Sequence, residues 1–358
     1  MKSMDETPTL HRYRIEDRAE VLDFVREVYP APVSARMISQ WTWKHEANPY
    51  TWPAGPAVDF LRVGNKLVSL ATGFRLRLWM GGIECLGENR GTWIVHPEYR
   101  RRNMWARIGA LQATDSPVLI GWSRLPPRVV ASVEFGNDPL RPLLRILDAG
   151  PLAAHITQLP SFASIGAAAS AAGRMIARPF RRTRDRRNGV VTRIEAFDER
   201  VDELCARVRN PEQATVVRDH RYLNWRYPQR PDATYLMFGL ERAARLDGFL
   251  VARMSTYLGM RWGNLIDFLA ADYARDLPAL LAVAMEEFRR GQVAAVSCYA
   301  TDLAARGALF RSGFFPIPQR KPIRFVHFIR PDRPDLAKFK AVKAWYLTMG
   351  DGDLELAS

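Results

Sequence analysis

The chain has 358 residues, a formal net charge of +14, an apolar share of 47%, three cysteines and six histidines. This length suffices for two domains with full cores, and the apolar share is that of a globular protein rather than a disordered one. Cys85, Cys205 and Cys298 are too few and too scattered for a disulfide framework, and the histidines lack metal-ligand spacing.

Taken in chain order, the first landmark is Trp43-Lys44-His45, followed by Asn48-Pro49 and a strand at 58–63. A turn at Gly64-Asn65 leads into a long β segment, 67–79, and Gly81-Gly82 turns it into a return strand, 83–95. A Pro turn, a cationic loop and an apolar-periodic segment follow, the last predicting a helix over 103–114 (Trp105, Ile108, Leu111). An apolar strand is expected at 118–122. Residues 163–173 are mostly Ala, Ser and Gly, and Arg178, Arg181, Arg182, Arg184, Arg186 and Arg187 crowd the 174–187 stretch behind them. Too charged to bury, this segment reads as a connector, with weak anionic membrane-surface contact through its arginines as a second role.

The order then repeats. Trp225-Arg226-Tyr227 precedes Arg230-Pro231, a strand at 234–238, a turn at Leu246-Asp247-Gly248, a β segment over 249–258, a turn at Gly259 and a return strand over 264–269. A helix at 277–290 and a strand at 294–299 complete it. Equivalent points lie roughly 180 residues apart, too long a period for a solenoid and suited to a duplicated domain.

The loop before the first helix carries the chemistry. N–H groups at a helix start are unpaired and the dipole is positive there, so arginines just ahead of such an end favour phosphate or pyrophosphate. The candidate cofactor residues are Val95, Arg100, Arg101, Arg102, Asn103, Met104 and Trp105. In the second half the same place reads Ala270-Ala271-Asp272-Tyr273-Ala274-Arg275-Asp276, where the acids would repel a pyrophosphate.

The run from Val95 to Trp105 resembles the acyl-CoA-binding motif of the GNAT (GCN5-related N-acetyltransferase) superfamily, Val-x-Pro-x-Tyr-Arg-x-x-Gly-x-Gly. Val95, Pro97, Tyr99 and Arg100 match it, whereas Asn103 and Trp105 stand in place of the glycines. The resemblance implies an α/β fold of α+β type with mixed sheets, as two GNAT-like domains in tandem. The expected bounds are 10–150 for the first, 151–189 for the connector, 190–333 for the second and 334–358 for a tail. It implies acetyl-CoA or another acyl-CoA as co-substrate and transfer of an acyl group, acetyl in the first place, to an amine of a small molecule or peptide. DNA is not an expected partner, and the oligomeric state is left open.

A general base is sought on the fourth strand, where the family often places Glu. Glu88 is the first candidate and Glu84 the second, the alternative for Glu88 being a solvated carboxylate at a bulge beside Gly87 and Gly91. Tyr99 offers a hydrogen bond or packs its loop. Leu309 before Gly313, and Ser132 before Gly136, occupy the place where the family carries a Tyr acid. Two other classes stay open: a non-catalytic scaffold with decayed motifs, and a tRNA-dependent aminoacyl transferase. Residues 1–9 carry two acids and no apolar core, and no window approaches about twenty apolar residues, so the cytoplasm is the expected compartment. At the end, Trp345 and Tyr346 are expected to dock the tail onto the second domain, and Asp351 with Asp353 reads as a capped terminus rather than a cation site.

Overall fold

The computed structural model describes residues 7–102, 116–123, 136–152, 189–319 and 322–352. The expected helix at 103–114, Ser132 and the arginine cluster at 174–187 lie outside the described residues.

In chain order the first half contains β1 (Thr9–Arg12), α1 (Arg18–Val28), α2 (Ala31–Ser39), a wide helical turn at Thr42–Glu46, β2 (Val58–Val63), β3 (Lys66–Met80), β4 (Ile83–Val95), a 3-10 turn at Pro97–Arg102, β5 (Val118–Ser123), β6 (Gly136–Pro139) and β7 (Leu143–Ile146). The second contains β8 (Val190–Arg193), α3 (Arg200–Val208), β9 (Ala214–Val216), α4 (His220–Arg226), β10 (Leu236–Arg242), β11 (Arg245–Tyr257), β12 (Met260–Ala270), α5 (Asp276–Arg290), β13 (Ala295–Cys298), α6 (Leu303–Arg311), β14 (Phe315–Pro316), β15 (Arg324–Ile329) and β16 (Trp345–Tyr346). Among the described residues no helix is long and apolar enough to cross a membrane.

Amphipathic spacing sets the layers. Val21, Phe24 and Val25 on α1 pack with Phe60 and Leu70 on one face of the first sheet. On α5, Leu277, Leu280, Leu281, Ala284, Met285 and Phe288 do the same against Phe238, Leu250 and Leu265 of the second. A third cluster joins the halves, with Phe74, Leu76 and Leu78 of β3 beside Phe249 and Val251 of β11. At its centre Trp43 and Trp225 stack with ring centroids 5.1 Å apart. Each indole donates to the other's backbone carbonyl, at 2.7 and 2.8 Å. The two repeat motifs thus meet on a local twofold axis.

The sheets show the duplication in full. The first runs β1-β2-β3-β4-β5-β15-β6, and the second, read from its other edge, runs β8-β10-β11-β12-β13-β7-β14. The order is the same, with one exchange: β7 of the first half lies between β13 and β14, and β15 of the second half lies between β5 and β6. Each expected domain segment therefore lends a strand to the other's sheet, and neither sheet is complete within 10–150 or 190–333. Trp345 stacks edge-on with Phe325 of β15 and Tyr346 bonds to Phe268 of β12, so the aromatic pair of the tail docks on second-half strands, one in each sheet.

One turn differs from expectation. β10 and β11 join at Ala243-Ala244, both with positive φ (51° and 62°), and the expected Leu246-Asp247-Gly248 lies inside β11. Asp247 is fully buried there because Arg207, Arg242 and Arg245 converge on it.

Candidate active site

β4 and β5 are parallel but share only two register pairs, Glu88↔Leu119 and Asn89↔Ile120. At that point the backbones touch: a Cβ on Gly121 would lie 2.7 Å from the Arg90 carbonyl oxygen. The β3–β4 register then shifts between Thr72 and Gly73, leaving Gly91 as an extra residue in β4. Such a bulge bends the strand that carries it. Beyond it, residues 92–95 pair with β3 and, among the described residues, with no strand on the β5 side. Among the described residues the two strands part there, and residues 92–95 form a strand edge with no neighbouring strand along one side of the gap.

The loop leaving β4 is braced internally. The His96 N–H donates to Val68 O at 2.9 Å, and Tyr99 N donates back to His96 O at 2.9 Å. Nε2 of His96 bonds Glu27 at 3.0 Å, while its Nδ1 accepts from Glu98 N at 3.3 Å. Tyr99 packs edge-on against His96 at 5.9 Å. Val95 is buried, and Arg100 Nε donates to its carbonyl at 3.3 Å. Pro97–Arg102 forms a 3-10 turn, so helical backbone begins earlier than the periodicity predicts, at a proline whose missing N–H costs a helix start nothing. The side chains of Arg101 and Arg102, and all of Asn103, Met104 and Trp105, lie outside the described residues.

Glu88 is neither solvated nor available as a lone carboxylate. It is fully buried on the β3–β4 surface, ion-paired with Arg75 and Arg90, and it accepts from Ser116 Oγ at 2.6 Å. Arg75 also reaches Gly55 O at 3.1 Å, so the pair anchors the loop before β2. Burial pulls Arg75 below its ordinary pKa against the opposing pull of Glu88. Glu84 is half-exposed and pairs with Arg77.

The corresponding opening in the second half is closed. β12 and β13 pair from Trp262↔Ala295 to Leu265↔Cys298, and Ile266 takes the place of Gly91 as the extra residue. Past it the tail lies between the strands. Tyr346 OH donates to Phe268 O, and Thr348 Oγ1 donates to Asp267 at 2.9 Å. On the other side Leu347 N donates to Thr301 Oγ1 at 2.8 Å, and Ala300 bridges to Thr348. The α5 start is filled as well: Asp272 accepts from the N–H groups of Ala274 (2.9 Å) and Arg275 (3.2 Å), and buried Asp276 pairs with Arg242 and Arg275. The two carboxylates thus already take donors of this helix start and set negative charge where an anion would have to sit.

Three residues to which the sequence reading gave no role at a site hold the tail. Arg218, 2% exposed, bonds Asp267 at 2.9 Å and Asp351 at 2.6 Å. Burial raises the Asp351 carboxyl, Arg218 lowers it and Asp267 raises it again, leaving it at about 6. Arg226 donates to Gly350 O at 3.3 Å and to Gly352 O at 2.6 Å. Asn89 Nδ2 donates to Asp351 O at 2.6 Å, and Gly352 lies so close to Trp122 that a Cβ would come within 2.5 Å of its ring. The tail therefore leaves the closed opening and ends its described path where β4 and β5 part.

Comparison with solved structures places this architecture. An N-acetyltransferase related to GCN5 from Anabaena variabilis superposes with a TM-score of 0.57 at 10% identity, over 95% of this chain and 75% of that one. Saccharomyces cerevisiae N-myristoyltransferase with bound myristoyl-CoA gives 0.57 at 13% identity, over 97% and 86%. A protein of unknown function from Enterococcus faecalis, described as a probable N-acyltransferase, gives 0.56 at 12%, over 93% and 74%. The fold is the GNAT fold, in tandem. No protein-family model matches the chain, and no curated protein matches it in sequence.

Within this GNAT frame the place of the family's Tyr acid holds Leu309, fully buried in the α5–α6 core and followed by Gly313 at φ +82°. No signal in one sequence marks Arg218 or Arg226 as buried, since both sit in a chain rich in exposed arginines. Asn89 had a detectable one: Asn264 stands two residues before the second bulge, as Asn89 does before the first.

Proposed function

We propose that the protein is an acyl-CoA-dependent N-acyltransferase, acetyl transfer being the first form to test, with its co-substrate held in the first half alone. The observation that carries this reading is the contrast between two equivalent openings. Between β4 and β5 a strand edge that no strand covers among the described residues leads to a basic loop, whereas between β12 and β13 the chain's own tail occupies the gap.

The residues present fit an acyl-CoA. Residues 92–95 offer backbone N–H and C=O groups to an amide-bearing arm, and the basic loop at Arg100 would take its phosphates. A bound acyl-CoA supplies an activated thioester carbonyl. Asn89 and Trp122 position the end of the tail beside the opening and so shape the approach of an acceptor amine. The cysteines give no reason to invoke an acyl-enzyme, because burial pushes Cys85 up to about 11 and Cys205 up to about 12. Direct transfer within a ternary complex is the consistent route, and alignment of two bound reactants can supply about 7–11 kcal/mol of it. Glu88, held by two guanidiniums, serves in this scheme to fix the strand at the bulge rather than to take a proton.

Calorimetric titration of the full chain with acetyl-CoA and longer acyl-CoAs is the test. One equivalent should bind, and at 100 times the dissociation constant the folded state should gain about 2.7 kcal/mol. Arg100→Ser should weaken binding severalfold. No binding at millimolar acyl-CoA, or two equivalents, would overturn the reading.

A further inference from the structure

The tail that closes the second opening leaves a cavity of about 160 Å³ beside Tyr346, where β9, the end of β3, the loop after α3 and the turn ahead of α5 meet. Cys205, Val216, Arg218 and Tyr346 form its buried floor. Its mouth reaches the surface at Asn210 and Ala304. A cavity of about 150 Å³ with apolar walls is known to take up one benzene ring, so the space here suits a single six-membered ring.

The lining selects the kind of ring. Trp79, Tyr273 and Tyr346 contribute aromatic surface, and Val208, Val216 and Leu269 aliphatic surface. The charged groups of the wall are already engaged. Arg218 bonds Asp267 and Asp351, and Arg209 lies 4.5 Å over the Trp79 ring and 4.0 Å from Glu84. Asp302 accepts from Ala305 N at 2.8 Å and from Gln213 Nε2 at 3.2 Å. The Cys205 thiol donates to Arg218 O at 3.1 Å, and burial pushes it up to about 12, so it adds no charge. An ionic guest would have to leave water without a partner of opposite sign waiting for it. One polar group, by contrast, has no partner. The Tyr273 hydroxyl is buried and makes no hydrogen bond, while the hydroxyl of Tyr346 beside it gives its proton to Phe268 O. Buried polar groups nearly always find a partner, so this donor marks the place of an acceptor.

We infer that the cavity binds a neutral, benzene-sized aromatic molecule carrying one hydroxyl, with the ring among Trp79, Leu269 and Tyr346 and the oxygen accepting from Tyr273. The site joins both sheets to the tail, shares no lining residue with the β4–β5 opening and does not depend on acyl transfer.

The probes are para-fluorophenol, fluorobenzene and para-fluorobenzoate, titrated into the full chain and followed by fluorine NMR. The phenol should saturate with a dissociation constant of about 0.1–1 mM, ordinary for a ligand of about eight heavy atoms, and should slow amide hydrogen exchange at residues 216–218 and 346–348. Fluorobenzene should bind about three- to tenfold more weakly, and the benzoate should not saturate. Tyr273→Phe removes only the unpartnered hydroxyl, so it should keep the unfolding temperature, weaken the phenol about three- to tenfold and leave fluorobenzene unchanged. The inference is overturned if the phenol fails to saturate at about 10 mM, if fluorobenzene or the benzoate binds as tightly as the phenol, or if Tyr273→Phe leaves the phenol's affinity as it was.

Discussion

Trp43 and Trp225 each donate to the other's buried carbonyl, so the pair is a single unit made by two distant residues. Trp225→Phe keeps the ring but removes the indole donor from the carbonyl of Trp43, and should cost about 1–3 kcal/mol in urea unfolding. Trp225→Ala should cost about 3–5 kcal/mol, and the double-mutant cycle with Trp43→Phe should show coupling of about 0.5–3 kcal/mol. Asp351 gives a pH dependence. Its carboxyl is raised in the folded protein, so the folded state binds the proton more tightly than the unfolded one between about 4 and 6. Its contribution is therefore fully present below pH 4 and is lost as pH rises through 6, with a slope of at most about 1.4 kcal/mol per pH unit for one proton. Asp351→Asn should flatten that part of the stability profile; an unchanged slope would show that another group titrates there. Arg218→Met leaves Asp267 and Asp351 buried without their cation and should cost about 3–5 kcal/mol.

At the scale of elements, hairpin turns separate what the sequence tells from what it hides. Gly64, Gly81, Gly82 and Gly259 all take positive φ, and each marked its turn correctly. The Ala243-Ala244 turn carried no such mark, and the nearby Asp247-Gly248 drew the assignment away from it. Alanine in a left-handed conformation is strained by about 1–2 kcal/mol, and Asn-Gly fits this turn class without that strain. Replacing Ala243 and Ala244 by Asn and Gly should therefore raise stability by about 1 kcal/mol or more, read as a shift of the denaturation midpoint at constant slope. Glu88 shows the same limit at the site. Its strand and its bulge were legible, but the arginines facing it from β3 and its own strand were not, because pairing register is absent from one strand's pattern.

For the whole molecule, the duplication was legible because each half repeats its motifs at one offset. The reciprocal exchange was not, since residues 143–146 and 324–329 have the same alternating pattern whichever sheet they join. A fragment ending at residue 152 would lack β15 and should show no cooperative thermal unfolding, despite containing most of the first sheet. The exchange also sets a clock on synthesis. β5 leaves the ribosome long before its neighbour β15, and β7 precedes its partner β13 by about 150 residues, or roughly 8–30 s at about 5–20 residues per second. Throughout that interval the nascent chain carries strands with no place to go. Its yield in a cell should therefore depend on translation speed and on holding chaperones more steeply than its final stability would suggest.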